Sequence, residues 1–262
     1  MRTGTALVGL MGLWASIWGL PGCGASPRPA QPALTPAPPT PDATLQARDL
    51  YPPGERRFVL LDPESREARG VEIITNQAPA DEGAWTQSVR TEGGAGEGER
   101  AGASVFERHP HGGVALRQLV ARAPKAARDD DALYLFEPAL VMTPGALAIG
   151  TTHTDACTLR IVELDDHSRV IQTGRAERTL EVLAGATLRT SGGEVETLTA
   201  RAQMTMEMGA IRSVTTTRLW VEPGEGILIE SFDRVSRLMG VPVRRSRGLK
   251  HAEGIEPVWG AD

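Results

Sequence analysis

The sequence predicts an all-β fold, a single curved antiparallel meander sheet (half-barrel or open barrel) with room for one short helix. Three observations carry that prediction. In residues 193–208, Leu198, Ala200, Ala202, Met204, Met206 and Met208 share one parity, while Thr197, Thr199, Arg201, Gln203, Thr205 and Glu207 share the other. Successive side chains of a strand point to opposite faces, so this stretch reads as a long strand with one apolar and one polar face. Short turn signals then separate further strand-like runs: Gly209-Ala210 suits a two-residue II′ hairpin, and Pro223-Gly224 suits a type II turn. The composition agrees. Gly 29 and Pro 19 supply many turns, and with aromatic residues at 4% the core must rest on Leu, Val, Ile, Ala and Met.

The N-terminus is an address. Arg2 provides a short positive region and Ala6–Leu20 an apolar one, which together form an export signal rather than a spanning helix. It ends in Leu20-Pro21-Gly22-Cys23, which resembles a bacterial lipobox, and by that resemblance Cys23 is lipidated and becomes the new N-terminus. Residues 1–22 are therefore read as a lipoprotein signal peptide, 23–50 as the lipidated Cys and a Pro-rich linker, and 51–262 as a β-rich domain with a basic C-terminal segment. The expected location is the cell envelope, lipid-anchored in the outer membrane and facing the periplasm. Gly24 after the Cys carries the choice of membrane. The linker, rich in proline from Pro27 to Pro41, forms no packed element in this reading because proline removes backbone donors.

Within the domain, Arg56–Asp62, Gly70–Gln77 and Trp85–Arg90 read as strands. Thr91–Ala103 is a glycine-rich acidic loop, and Ser104–Val120 is a hairpin around His109-Pro110-His111-Gly112-Gly113. Ala121–Asp131 is a charged connector. Leu133–Met142 is the most apolar segment of the domain, and Pro138 interrupts it, so it reads as a short buried strand followed by a bend. Ala156–Leu164, then Arg169–Leu183, continue the meander, with Ala184–Gly193 as a connection to the Met-bearing strand. Ile227–Phe232 is a further strand. A short helix is expected between Asp233 as N-cap and Gly240 as C′ residue. About ten strands in hairpin succession give an up-and-down sheet curling toward closure.

The run from Arg178 to Glu230 contains Glu181-Val182-Leu183-Ala184-Gly185 and Thr217-Arg218-Leu219-Trp220-Val221-Glu222-Pro223-Gly224-Glu225-Gly226-Ile227. It resembles β-rich envelope proteins related to the lipoprotein-localisation (LolA/LolB-like) half-barrels. The resemblance implies a curved antiparallel sheet whose concave apolar face handles acyl chains.

A formal charge of −5 excludes a generally basic nucleic-acid binder. Cys23 and Cys157 are the two cysteines, so with Cys23 modified no disulfide framework exists within the chain. No catalytic, metal or cofactor site is assigned. His109 and His111 lie at a hairpin tip, His153 and the Asp165-Asp166-His167 turn read as solvated, and there is neither a Gly-x-Ser-x-Gly elbow nor an H-E-x-x-H helix. Cys157 sits in an alternating strand, where most thiols are inert. Two surfaces remain. Leu198, Met204, Met206, Met208 and Trp220 are the candidate ligand-binding residues, although strand parity favours plain core packing for the Met stripe. Arg244, Arg245, Arg247 and Lys250 are candidates for an anionic partner, either lipid headgroups or protein. The expectation is a non-enzymatic envelope lipoprotein binding a lipid, an apolar ligand or an envelope protein. An assembly role through the basic segment is the alternative, and a hydrolase or metal enzyme is the least favoured.

Overall fold

The computed structural model describes residues 31–36, 43–77, 83–93, 102–121 and 132–260. Three short elements come first: β1 (Leu34–Pro36), β2 (Thr44–Gln46) and α1 (Ala47–Leu50). Then follow β3 (Gly54–Leu61), β4 (Ala68–Asn76), β5 (Ala84–Glu92), β6 (Gly102–His109), β7 (Gly113–Ala121), β8 (Ala132–Thr143), β9 (Ala146–Ala148) and β10 (Thr152–Glu163). The chain ends in β11 (Val170–Thr190), β12 (Gly193–Met208), β13 (Ile211–Glu222), β14 (Gly226–Leu238) and β15 (Val241–Ala252).

All pairings are antiparallel, and strands β3–β8 and β10–β15 pair in chain order. The last strand returns to the first through Leu249↔Leu61, Lys250↔Leu60, His251↔Val59 and Ala252↔Phe58. The meander predicted from the sequence is thus a closed barrel of 12 strands. Closure removes the unpaired edges that an open sheet would expose.

The alternation read from β12 holds. Leu198, Ala200, Ala202, Met206 and Met208 are buried and Arg201, Gln203 and Glu207 are exposed, while Thr197, Thr199 and Thr205 on the polar parity are buried as well. On β11, Ala176, Leu180 and Val182 are buried, and Arg175 and Glu177 form an ion pair outside. The register aligns Glu181 with Arg201 and Glu207 with Arg212, and both pairs form surface ion bridges, at 2.6 and 3.1 Å. Exposed pairs of this kind contribute at most about 1 kcal/mol each. An apolar inside and a charged outside on these strands is the reverse of a membrane-spanning barrel, whose outer belt is apolar.

Three local expectations change. The segment from Asp233 to Gly240 is not a helix. Asp233 lies in the middle of β14, paired with Thr216 and Arg247. Met239 and Gly240, with φ of 50° and 84°, form the turn into β15. Two successive positive φ values mark a two-residue I′ hairpin, so Gly240 closes a β-turn rather than a helix. Gly209 behaves as predicted, with φ of 56° at the first position of the β12–β13 turn. Ala184–Gly193 is also not a connection, because β11 runs on to Thr190 past a register shift at Val182/Ala184. A bulge flips the side-chain parity, which makes one strand read as two.

The third change concerns Pro138. β8 does not end there but runs on to Thr143. It pairs with β10 only as far as Glu137↔Thr158, and Val141 and Thr143 remain paired with β7. Proline has no N–H for the ladder, so β8 and β10 part at this point. Two side chains bridge the gap. Asp155 Oδ2 accepts from the Val141 N–H at 2.7 Å, and Arg178 Nε donates to the Met142 carbonyl at 2.7 Å.

The Pro-rich linker, expected to form no packed element, packs in part, because β1 pairs with β11 and Pro32 bridges to Trp259. Residues 43–50, which the sequence places at the end of the linker, also belong to the fold. β2 pairs with β9, and the Ala47 N–H donates to the Gly145 carbonyl. From there Leu45 and Leu50 pack on the inward-facing Leu180, Ala202 and Leu219, and Ala47 joins a second cluster with Phe106 and Leu116. Asp49, although 2% exposed, is satisfied: Oδ2 accepts from the Gln46 N–H and Oδ1 from the Gly224 N–H. The Pro223-Gly224 turn is thereby docked onto this internal segment.

A third apolar cluster lies outside the wall. Leu61, Trp220 and Ile229 alternate with the inward-facing Leu60, Leu219 and Glu230, and they pack with Leu188, Leu34, Ile255 and Trp259. Bridges Pro32↔Trp259 and Thr190↔Pro257 hold the C-terminal segment over this patch.

Candidate functional site: a mixed cavity inside the barrel

Inside the wall, between the Leu45–Tyr51 segment and β3–β6, lies a cavity of about 260 Å³. Phe58, Leu60, Ile74, Val89, Leu119 and Phe232 give it an apolar lining. Tyr51 reaches it from the internal segment, its ring 5.0 Å from that of Phe106, and Phe106 stacks on Trp85 at 5.6 Å. Phe232 is placed by its cross-strand partner Gly248, where a Cβ would collide with the ring. Asn76 Nδ2 donates to the Pro52 carbonyl at 2.7 Å, and Asn76 Oδ1 accepts from Gln87 Nε2 at 2.9 Å, tying the internal segment to β4 and β5.

Charges share this space. Lys250 Nζ is bonded to Glu72 and lies 3.1 Å from Glu230, and it sits 4.9 Å from the centre of the Phe58 ring. The register explains the group, since Glu230 is directly opposite Lys250 and Glu72 opposite Phe58. Burial alone would push the Lys250 ammonium down, but Glu230 and Glu72 outweigh it and raise its pKa above the ordinary lysine value. Because the folded value is raised, the stabilisation is fully present at neutral pH and is lost only as pH rises past the lysine range.

Arg178 lines the same cavity from β11. Its Nε is occupied by Met142, whereas its terminal nitrogens have no hydrogen-bond partner among the described residues. Burial pushes its guanidinium below the ordinary value, opposed by Tyr51 and Glu230. Tyr51 itself is pushed up by burial. The Thr91 hydroxyl, also on the lining, is buried without a partner.

The row that holds Arg178 continues through Met204 and Thr215 to Arg234. Arg234 is 5% exposed. Its Nε donates to Ser213 Oγ at 2.9 Å and its Nη1 is unpartnered. Burial lowers its pKa to about 10, and burial raises the facing Tyr134 to about 12.

The candidate residues from the sequence are distributed over several places. Met206 and Met208 are packed in the core with Cys157, Leu159 and Ile211, and Met204 packs against them. Leu198 lies in the cluster around Leu45. Trp220 is on the outer face. In the basic segment, Arg244 is exposed, Arg245 is paired with Asp233, Arg247 lies near the same carboxylate at 3.6 Å, and Lys250 is inside the barrel. Cys23 and Asp129–Asp131 lie outside the described residues. Burial, with Asp155 adding to it, raises the Cys157 thiol to about 11, so little thiolate forms at neutral pH. Among the described residues no three metal-binding side chains converge.

Arg178, Glu72 and Glu230 were missed. A lone charge on a strand reads as an outward position, and only the register shows that these three lie on the inner parity. The available hints are parity: Arg178 alternates in step with Ala176, Leu180 and Val182, and Glu230 with Phe232.

Fold and site together define a closed up-and-down β-barrel with a ligand-sized interior cavity. No family model, curated protein or solved structure matches the chain.

The buried charge group yields a stability test. Lys250→Met leaves Glu72 and Glu230 buried without their cation and is expected to lose about 3–5 kcal/mol at neutral pH in urea unfolding. Protonating the two carboxylates relieves that burial, so the deficit should shrink as pH falls. A loss below about 1 kcal/mol, the size of a surface pair, or a deficit independent of pH, would contradict the assignment.

Proposed function

We propose that this is a non-enzymatic binding protein of the bacterial envelope that holds a single apolar chain or ring inside its barrel. The observation supporting this reading is the interior cavity. Its volume of about 260 Å³ exceeds the ~150 Å³ of an apolar cavity known to accept benzene. The lining combines aromatic and aliphatic walls with a few polar groups, the usual make-up of a small-molecule site. The size favours one short amphiphile over a lipid with several acyl chains, which narrows the acyl-chain role implied by the half-barrel resemblance.

The anchoring part of the proposal rests on Leu20-Pro21-Gly22-Cys23. Acyl chains on Cys23 contribute ~0.8 kcal/mol per buried methylene, so more than one would hold the protein on a bilayer. Seven residues separate Cys23 from Gln31, the first described residue. At no more than ~3.6 Å per residue they keep the fold within about 30 Å of the membrane.

Two experiments test these claims. Val89 lines the cavity opposite Gly102, and Val89→Trp should fill the space. Titration calorimetry with 1-decanol is expected to show at least a roughly tenfold loss of affinity, with the fold retained at a cost of about 1–3 kcal/mol. Undiminished decanol binding would place the ligand elsewhere. For the anchor, Cys23→Ala should move the protein from the membrane pellet to the soluble fraction on cell fractionation; continued sedimentation with membranes would refute lipidation at this residue.

A further inference from the structure

We infer that the cavity selects a ligand with a carboxylate head, seated on the guanidinium of Arg178, with its apolar tail among Phe58, Ile74, Val89, Phe106 and Phe232. This rests on the cavity being the binding site and adds the chemistry of its polar end. All six side chains line one cavity.

Two of the cations that line this cavity, Lys250 and Arg178, differ in what they still need. Lys250 is saturated, with Glu72 and Glu230 on its ammonium and the Phe58 ring beside it. Arg178 is not. Its Nε is taken by the Met142 carbonyl, which fixes the guanidinium in place, and its terminal nitrogens find no acceptor among the described residues. No carboxylate among the described residues forms an ion pair with it. Glu230, the acid that acts on it electrostatically, already holds Lys250 at 3.1 Å. Asp155 is its cross-strand partner in the register, but the Asp155 carboxylate accepts from the Val141 N–H. Arg56, the third cation on the lining, donates to the Glu225 carbonyl at 2.7 Å.

A buried guanidinium with free donors is costly unless an acceptor arrives. The planar fork of arginine matches a carboxylate, which takes two parallel hydrogen bonds. Such an anion also meets a neutral group on the same lining, the Tyr51 phenol, which interacts electrostatically with Arg178. An uncharged alcohol head fills the same volume but supplies one acceptor and no charge. Discrimination between acid and alcohol is therefore the signature of this site.

The test compares decanoate with 1-decanol at pH 8 by titration calorimetry, on the unmodified protein and on Arg178→Met and Arg178→Lys. The unmodified protein should bind decanoate roughly 10–100-fold more tightly than decanol, the range of a charge-assisted hydrogen-bond pair. Arg178→Met should bind the two equally well, and Arg178→Lys should keep part of the preference. Equal affinities in the unmodified protein, or a preference that survives Arg178→Met, would overturn the assignment of the head group while leaving the cavity reading intact. Failure of the unmodified protein to bind either ligand would overturn both. Because Arg178 also bridges to β8, a melting curve accompanies each variant. If Arg178→Met does not fold, the acid-to-alcohol ratio of the unmodified protein and of Arg178→Lys decides the matter.

Discussion

Closing twelve strands into one barrel fixes a lumen wider than the wall's own side chains can fill. Eight strands leave an interior that side chains just occupy, and each added strand widens it. Most of the interior of this protein is a response to that width. The Leu45–Tyr51 segment is drawn in as a plug, entering beside β9 and packing on Leu180, Ala202 and Leu219. Met206 and Met208, with Phe136, Leu140 and Ile161, fill another part. What neither the plug nor the wall reaches stays open as the cavity.

Width also explains how charges come to be inside. A lysine in a tightly packed core would be expelled or neutralised, but beside a lumen it can reach two carboxylates and an aromatic face at once. Burying the Lys250 group still carries a desolvation cost of several kcal/mol per ion, which the two short contacts and the Phe58 face offset. Arg178 has another origin. Pro138 parts β8 from β10, and a side chain long enough to span the gap replaces the missing backbone bond. One end of the guanidinium serves the wall, and the other is left facing the cavity. The same residue thus joins a structural defect to a binding surface.

The sequence made the strands legible wherever period two ran unbroken. The β12–β13 hairpin, its Gly209 turn and the hairpin around His109–Gly113 all appear where the alternation places them. The pattern failed where parity changes or a turn residue has two meanings. The Val182/Ala184 bulge split β11, and Gly240 suits a helix end as well as an I′ turn. Closure was not legible, because Leu60 meeting Lys250 is a matter of long-range register rather than local pattern. The site suffered most. Lys250, read together with Arg244, Arg245 and Arg247 as one basic surface, is separated from Arg245 and Arg247 by alternation, and from Arg244, which shares its parity but is exposed near the β14–β15 turn, by its inner partners. The Met stripe packs the core, as strand parity favours, and the open space lies against β3–β6 instead.

The central claim is that the lumen holds a ligand rather than only completing the packing. A crystal structure of the full chain grown with decanoate tests it most directly. The account predicts continuous chain density among Phe58, Val89 and Phe232, with both carboxylate oxygens at charge-assisted hydrogen-bond distance, about 2.7–2.9 Å, from the Arg178 terminal nitrogens. Ordered water alone in the cavity, with decanoate bound on the outer surface or absent, would contradict it.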